Sequence, residues 1–199
     1  MLLVFGVSHK TAALADREAL AFPRETLGET LLRLRSEAGL QEAMILSTCN
    51  RVEIYARADQ DGAADAVASF VGAFHRRSAA DLARLTYCLT DADAVRHAFR
   101  VASSLDSMVV GEPQILGQVK EGYRAAEEAG TLGSALNALR NRTLAAAKRV
   151  RTETGIGRNA VSVSYVAVEL ARKIFGELKD KNVLLVGAGK MSELAARHL

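Results

Sequence analysis

What most constrains the fold of this chain is a change in hydrophobic period near residue 90. Upstream, alternating segments are interleaved with segments whose apolar residues recur every three or four positions, the pattern of mixed strands and helices. Residues 2–8 read as a strand. Pro23 suits a first helical turn, Leu27, Leu31 and Leu34 form one stripe, and Gly39 supplies the stop. Residues 42–48 read as a second strand, and Val52, Ile54 and Ala56 alternate with polar neighbours in a third. Cys49, Asn50 and Arg51 connect the two. Asp61 or Gly62 opens a helix striped by Val67, Phe70, Val71 and Phe74, and residues 85–89 read as a last strand. The order βαββαβ predicts a ferredoxin-like α/β sheet with both helices on one face.

Downstream the period is helical. Asp91 can cap a helix carrying Val95, Phe99 and Ala102 on one side; residues 114–129 form another, stopped by Gly130. A third, over 132–153, aligns Leu132, Leu136, Leu139 and Val150 and ends before Gly155, Ile156 and Gly157, which read as a hinge. That hinge divides residues 1–155 (1–90 ferredoxin-like, 91–155 helical) from residues 156–199. Beyond it, Val163, Ala167, Leu170 and Ile174 stripe a helix, and residues 182–186 read as a strand. This strand runs into Gly187, Ala188, Gly189, Lys190, Met191 and Ser192 and a new amphipathic start, a βα turn of the kind that receives a dinucleotide pyrophosphate. The third glycine of that pattern is Ser192, and the acidic residue expected about 20 positions on lies past Leu199. One βα unit is not a finished nucleotide domain, so the chain is expected to be the front part of a longer protein.

Composition narrows the class. With 199 residues, 49% hydrophobic and 25% charged, the chain has the makings of one large or two small globular domains. No apolar run approaches the roughly 18 residues of a membrane span. The amino terminus shows no secretory pattern, so a cytoplasmic location is expected. Cys49 and Cys88 are far apart and outside any Cys-x-x-Cys pair, which argues against a disulfide framework or a cysteine-rich metal site. The formal net charge of +3 is compatible with a polyanionic partner without requiring one.

Several residues invite a chemical reading. Cys49 reads either as a small buried hydrophobe or, in a tight connection beside Arg51, as a nucleophile. Cys88, in an expected core strand, reads as structural. His97 falls opposite Val95 and Phe99 and is expected to face solvent. Residues 105–118 mix polar and apolar positions without a clean period, and Gly111, Pro113 and Gly117 interrupt them, as in a binding loop that leads into a helix. Arg140, Arg142, Lys148, Arg149 and Arg151 give the following helix a basic surface, either a solvated face or a phosphate contact.

Ser47-Thr48-Cys49-Asn50-Arg51-Val52-Glu53-Ile54-Tyr55 resembles the nucleophile motif of the glutamyl-tRNA reductases. Gly6-Val7-Ser8-His9-Lys10-Thr11, residues 105–118 and Arg149-Val150-Arg151-Thr152-Glu153-Thr154-Gly155-Ile156-Gly157-Arg158 agree with it in order and spacing. Ala13 stands where the family often has proline, Ser104 where it often has glycine, and Ser192 at the third glycine of the nucleotide turn. The resemblance implies NADPH-dependent reduction of glutamyl-tRNA to glutamate-1-semialdehyde, the first step of tetrapyrrole (porphyrin) biosynthesis from glutamate. By position it implies Cys49 as nucleophile and thioester carrier and His97 as a residue that matters for activity by polarising a carbonyl or handling a proton. It implies Thr48, Asn50, Arg51, Ser107, Glu112, Pro113, Gln114 and Gln118 as substrate-binding residues, with Arg51 on the substrate's side-chain carboxylate. Residues 187–192 would begin the NADPH-binding Rossmann domain, with no metal or flavin. It further implies a homodimer through a C-terminal domain and glutamate-1-semialdehyde aminomutase as a partner. A noncatalytic tRNA-binding or thioesterase-like fragment and an unrelated dehydrogenase are the alternatives.

Overall fold

The computed structural model describes residues 1–157 and 163–199. Its sheet comprises β1 (Leu2–Ser8), β2 (Glu42–Ser47), β3 (Arg51–Arg57) and β4 (Tyr87–Thr90), all antiparallel, in the order β2-β3-β1-β4. That is the split arrangement expected of a βαββαβ chain. Two further short helices lie within it, α1 (Leu14–Ala19) and α4 (Ala79–Leu85). The two longer ones, α2 (Leu27–Glu37) and α3 (Ala63–His75), carry their predicted stripes into the core: Leu31 and Leu34 from one, Val67, Phe70 and Val71 from the other.

The opposite face of the sheet is covered too. There pack α5 (Asp91–Ala102), α6 (Gln114–Glu128) and α7 (Ser134–Glu153), against β1, β2 and β3. Strands buried on both faces should lose the simple inside/outside alternation, and β1, β2 and β3 are buried at nearly every position. The polar partners in β3 that sequence alternation assigns to solvent, Arg51, Glu53 and Tyr55, are therefore interior, at 1%, 0% and 3% exposure. Thr90 leads directly into α5, and β4 is an edge strand. Cys88 is accordingly exposed rather than in the core.

The layers are tied together by polar bonds. The Glu42 carboxylate, on β2, accepts the backbone N–H groups of Gly133, Ala135 and Leu136 and so supplies the amino end of α7 with the acceptors it lacks. The basic surface of α7 is largely committed: Arg140 pairs with Glu127, Arg149 with Glu153, and Arg151 donates to Ser104 Oγ and the Glu112 carbonyl. The two departures from the family pattern in this part have local explanations. Ala13 caps α1 at φ −64°, an angle a proline also takes. Ser104 sits at φ +61°, in the left-handed region, while its hydroxyl donates to the Glu112 carbonyl at 2.6 Å.

After α7, Gly155–Gly157 form a single 3-10 turn; Arg158 lies outside the described residues. Helix α8 (Val163–Phe175) and helix α9 (Lys190–His198) pack on each other. The strand expected over 182–186 is not formed: these residues join no sheet, and Leu184 and Val186 are 86% and 88% exposed. A strand is stabilised by ladder and cross-strand neighbours, and this segment has none among the described residues. Among those residues no helix is long and apolar enough to cross a membrane, and no group of three or more His, Cys, Asp or Glu could hold a metal ion.

Candidate active site

The connection between β2 and β3 is held by one side chain. Thr48 Oγ1 accepts the N–H groups of Asn50 and Arg51 at 3.2 and 3.1 Å, and the Thr48 N–H reaches the Arg51 carbonyl at 2.8 Å. From outside, the His9 N–H donates to the Asn50 carbonyl at 2.9 Å and Arg17 Nε to the Cys49 carbonyl at 3.1 Å. The backbone of Cys49 is thus fixed on both sides while its thiol is exposed.

That thiol faces a cavity of about 280 Å³. Thr48, Cys49, Asn50, Arg51, Ser107, Glu112, Gln114 and Gln118 line it, so two segments more than fifty residues apart in sequence converge there. Met108, Ile115 and Met191 complete the wall. Pro113 is not part of the lining; it is the residue before α6 and sets where that helix starts. Burial holds the Glu112 carboxyl above its ordinary range, against the opposing hydrogen bond from Ser107.

Behind the cavity lies a buried charge network centred on Glu53. Its Oε1 accepts Arg51 Nη1 at 2.5 Å, the Tyr87 hydroxyl, and His97 Nε2 at 2.9 Å; Oε2 accepts the Tyr55 hydroxyl at 2.6 Å. Burial alone would raise the Glu53 pKa. The hydrogen bond from His97 and the charge of Arg51 outweigh it and bring it down to about 2. A carboxylate can only accept, so His97 Nε2 is the nitrogen that carries hydrogen. The other side of the Arg51 fork donates to Asp106, at 2.6 Å to its carbonyl and 3.1 Å to Oδ2, and Lys10 pairs with the same carboxylate. Gly6 makes this packing possible: it lies on β1 between Glu53 and Tyr87, where a Cβ would stand 2.8 Å from Glu53 Cα.

His97 therefore does not face solvent; its side chain is 13% exposed. The buried stripe of α5 is Ala94, Ala98, Val101 and Ala102, and His97 lies three positions after the first and four before Val101. Reading the stripe from the bulkier Val95 and Phe99 mis-phases the helix, because alanines carry little hydrophobic signal yet allow close packing. His97 touches the network behind Arg51 and is not among the cavity-lining residues. Glu53, Asp106, Tyr55 and Tyr87 were not singled out in the sequence, although Glu53 and Tyr55 stand inside the Cys49 motif. Cys88, expected in a core strand, instead lies in a groove on α3 and α4, where partial burial and the Asp65 charge raise its thiol's pKa.

The glycine turn is separate in construction. Gly187 stands at φ +102°, a backbone that side chains rarely adopt. Gly189 caps α9 with no side-chain cap, and a Cβ there would meet nothing within 4 Å. An uncapped helix amino end beside an open glycine fits the pyrophosphate end of a dinucleotide. Ser192 Oγ lies 4.0 Å from where a Gly187 Cβ would be, and Ala188 completes the turn; the Lys190 side chain lies outside the described residues.

Comparison with known proteins accords with this geometry. The family model of the glutamyl-tRNA(Glu) reductase N-terminal domain matches residues 5–154, and that of shikimate / quinate 5-dehydrogenase matches residues 169–199. The glutamyl-tRNA reductase of Syntrophotalea carbinolica is 55% identical over 99% of this chain and 45% of its own, and that of Solibacter usitatus 56% identical over 100% and 47%. The structure of glutamyl-tRNA reductase from Methanopyrus kandleri superposes with a TM-score of 0.72 at 38% identity, covering 99% of this chain and 46% of its own. The chain spans about half the length of these relatives. With the family model matched over most of its length, the chain belongs to the glutamyl-tRNA reductase family.

Proposed function

We propose that this chain carries the acyl-transfer half of an NADPH-dependent glutamyl-tRNA reductase, with Cys49 as acyl acceptor. The observation that carries the proposal is an exposed thiol on an immobilised turn, opening into a cavity that two family motifs build together. The Cys49 thiolate attacks the aminoacyl ester carbonyl; the bond to the 3′ ribose oxygen breaks, that oxygen takes a proton, and the glutamyl group stays on sulfur as a thioester. Thr48, Asn50, Ser107, Gln114 and Gln118 offer hydrogen-bonding groups to the glutamyl moiety. Glu112 offers a carboxylate to its ammonium group, and Arg51 the positive charge nearest the cavity to its side-chain carboxylate. Because Glu53 and Asp106 already occupy the Arg51 fork, that recognition depends on how firmly they hold it. His97 is a positioning residue that acts through Glu53, and Pro113 acts by fixing the start of α6.

Residues 187–192 would hold the pyrophosphate end of the dinucleotide, whose reduced nicotinamide supplies the two electrons of the reduction. The division at residue 155 is part of the same reading. So are a cytoplasmic homodimer and delivery of the aldehyde to an aminomutase, which rest on the family resemblance.

The test is mass spectrometry of the protein after incubation with glutamyl-tRNA. The reading expects a glutamyl adduct on Cys49, none in Cys49→Ser, and an unchanged adduct in Cys88→Ser. An adduct on Cys88, or tRNA discharge that Cys49→Ser leaves intact, would reject it.

A further inference from the structure

One wall of the Cys49 cavity comes from the far end of the chain. Met191, the second residue of α9 and part of the glycine turn, lines the cavity with Cys49, Gln114 and Ile115. Its sulfur accepts the Gln114 amide N–H at 3.6 Å. Its carbonyl oxygen accepts the Ser164 hydroxyl of α8 at 2.9 Å, and Ser164 is itself buried. The side chain is thus seated on α6 while the backbone is anchored to α8. A thioether is a weak acceptor on a flexible stem, so the first contact orients the side chain without locking it.

We propose that Met191 is a positioning residue that couples the glycine turn to the acyl cavity: seated, it covers an acyl group on Cys49 and keeps water from its carbonyl. The proposal rests on the reading of Cys49 as acyl acceptor. A thioester there has two outcomes. Water can add to the carbonyl carbon; the C–S bond then breaks, the sulfur regains a proton, and free glutamate leaves with no change in oxidation state. Alternatively, a hydride and a proton reduce the carbonyl carbon and the sulfur leaves as thiol, giving the aldehyde while a reduced nicotinamide dinucleotide is oxidised. The first outcome needs water in the cavity, and a wall made of the turn's own residue excludes it where the turn is in place. The turn and the cavity then report on each other through one side chain.

The experiment loads Cys49 from glutamyl-tRNA, removes the tRNA, and follows decay of the glutamyl adduct by mass spectrometry without any dinucleotide. In Met191→Ala the adduct should decay about fivefold faster than in the parent, because the apolar cover is gone; Met191→Leu should restore the parental rate. Gly187→Ala strains the turn at φ +102° without touching the cavity and should speed decay in the same direction. Far-ultraviolet circular dichroism and the urea unfolding midpoint report whether each variant is folded as the parent is. Equal decay in folded Met191→Ala and parent would overturn the proposal, and parental decay in Gly187→Ala would overturn the coupling to the turn. If the parent forms no Cys49 adduct at all, the underlying reading fails.

Discussion

Glu53 is fully buried, carries a charge, and is met by four donors, so it is the residue on which the site's geometry depends most. Glu53→Gln keeps the volume and removes the charge. Arg51 would then lean on Asp106 alone, and His97 would lose an anionic acceptor. Breaking a buried pair by neutralising one partner typically costs about 3–5 kcal/mol, and denaturant unfolding should register a loss of that order. Formation of the Cys49 adduct should fall in parallel, and a Glu53→Gln protein with parental stability and parental acylation would contradict this account. Arg51→Lys separates the two contributions. An ammonium cannot bond Glu53 and Asp106 as a fork does, so acylation by glutamyl-tRNA should slow more than stability falls. The network was hard to read from sequence for a physical reason: alternating polar residues in a strand signal solvent unless a second helical layer covers that face. Nothing local in Arg51, Glu53 and Tyr55 announces α5. Cys49 was legible as lying in a tight connection, but residue patterning left open whether its thiol was buried and inert or exposed and reactive, and the family motif decided the expectation.

Among the secondary-structure elements, the join between β2 and α7 has the clearest single cause. Three backbone amides at the start of α7 depend on the Glu42 carboxylate. Glu42→Ala removes those acceptors in a buried setting, and a loss of about 2–3 kcal/mol is expected from unpaired amides and the lost cap. Hydrogen exchange should rise at residues 133–136 ahead of the rest of α7; a uniform change along the helix would argue against a capping role. Periodicity recovered the long helices because each buries a stripe, and the four strands because apolar residues recur in short runs between turn signals. It missed α4, although Ser78 stands three residues before Asp81, and the Ser78 hydroxyl accepts the Asp81 N–H at 3.1 Å. The signal was a capping pattern rather than a period. The expected strand at 182–186 failed in the opposite way. Its apolar residues have the right composition, but a strand exists only with a partner, and pattern within the segment cannot supply one.

At the scale of the whole molecule, pH dependence should separate two titrating groups, one half-buried and one fully buried, that lie on opposite faces of the sheet. His75 ends α3 and packs edge-on against Phe22 and Phe74. Burial brings its pKa down to about 4, the Ala19 carbonyl opposes that shift, and Arg77 adds to it. The unfolded chain therefore binds a proton near pH 6.5 that the folded chain refuses until about pH 4. Stability contributed by the neutral imidazole is complete above pH 6.5 and is lost as pH falls through that window; for a half-buried ring the loss should be about 1–2 kcal/mol. Glu53 behaves with the same sign but lower: its contribution holds above pH 4.5 and disappears as pH falls towards about 2. His9, whose imidazole is lowered by burial and by Arg51, has the same sign, losing stability as pH falls below 6.5, and sits beside the Cys49 turn. Urea unfolding at pH 7, 5.5 and 4.5 should show the parent weakening across the upper window. His75→Gln should weaken by about 1–2 kcal/mol less over the same range, the remaining slope combining the loss at His9 with the opposite-signed contribution of the raised Glu112 carboxyl. An identical pH profile for His75→Gln and parent would mean that His75 is protonated at no cost in the fold, and would place the acid sensitivity in the site itself.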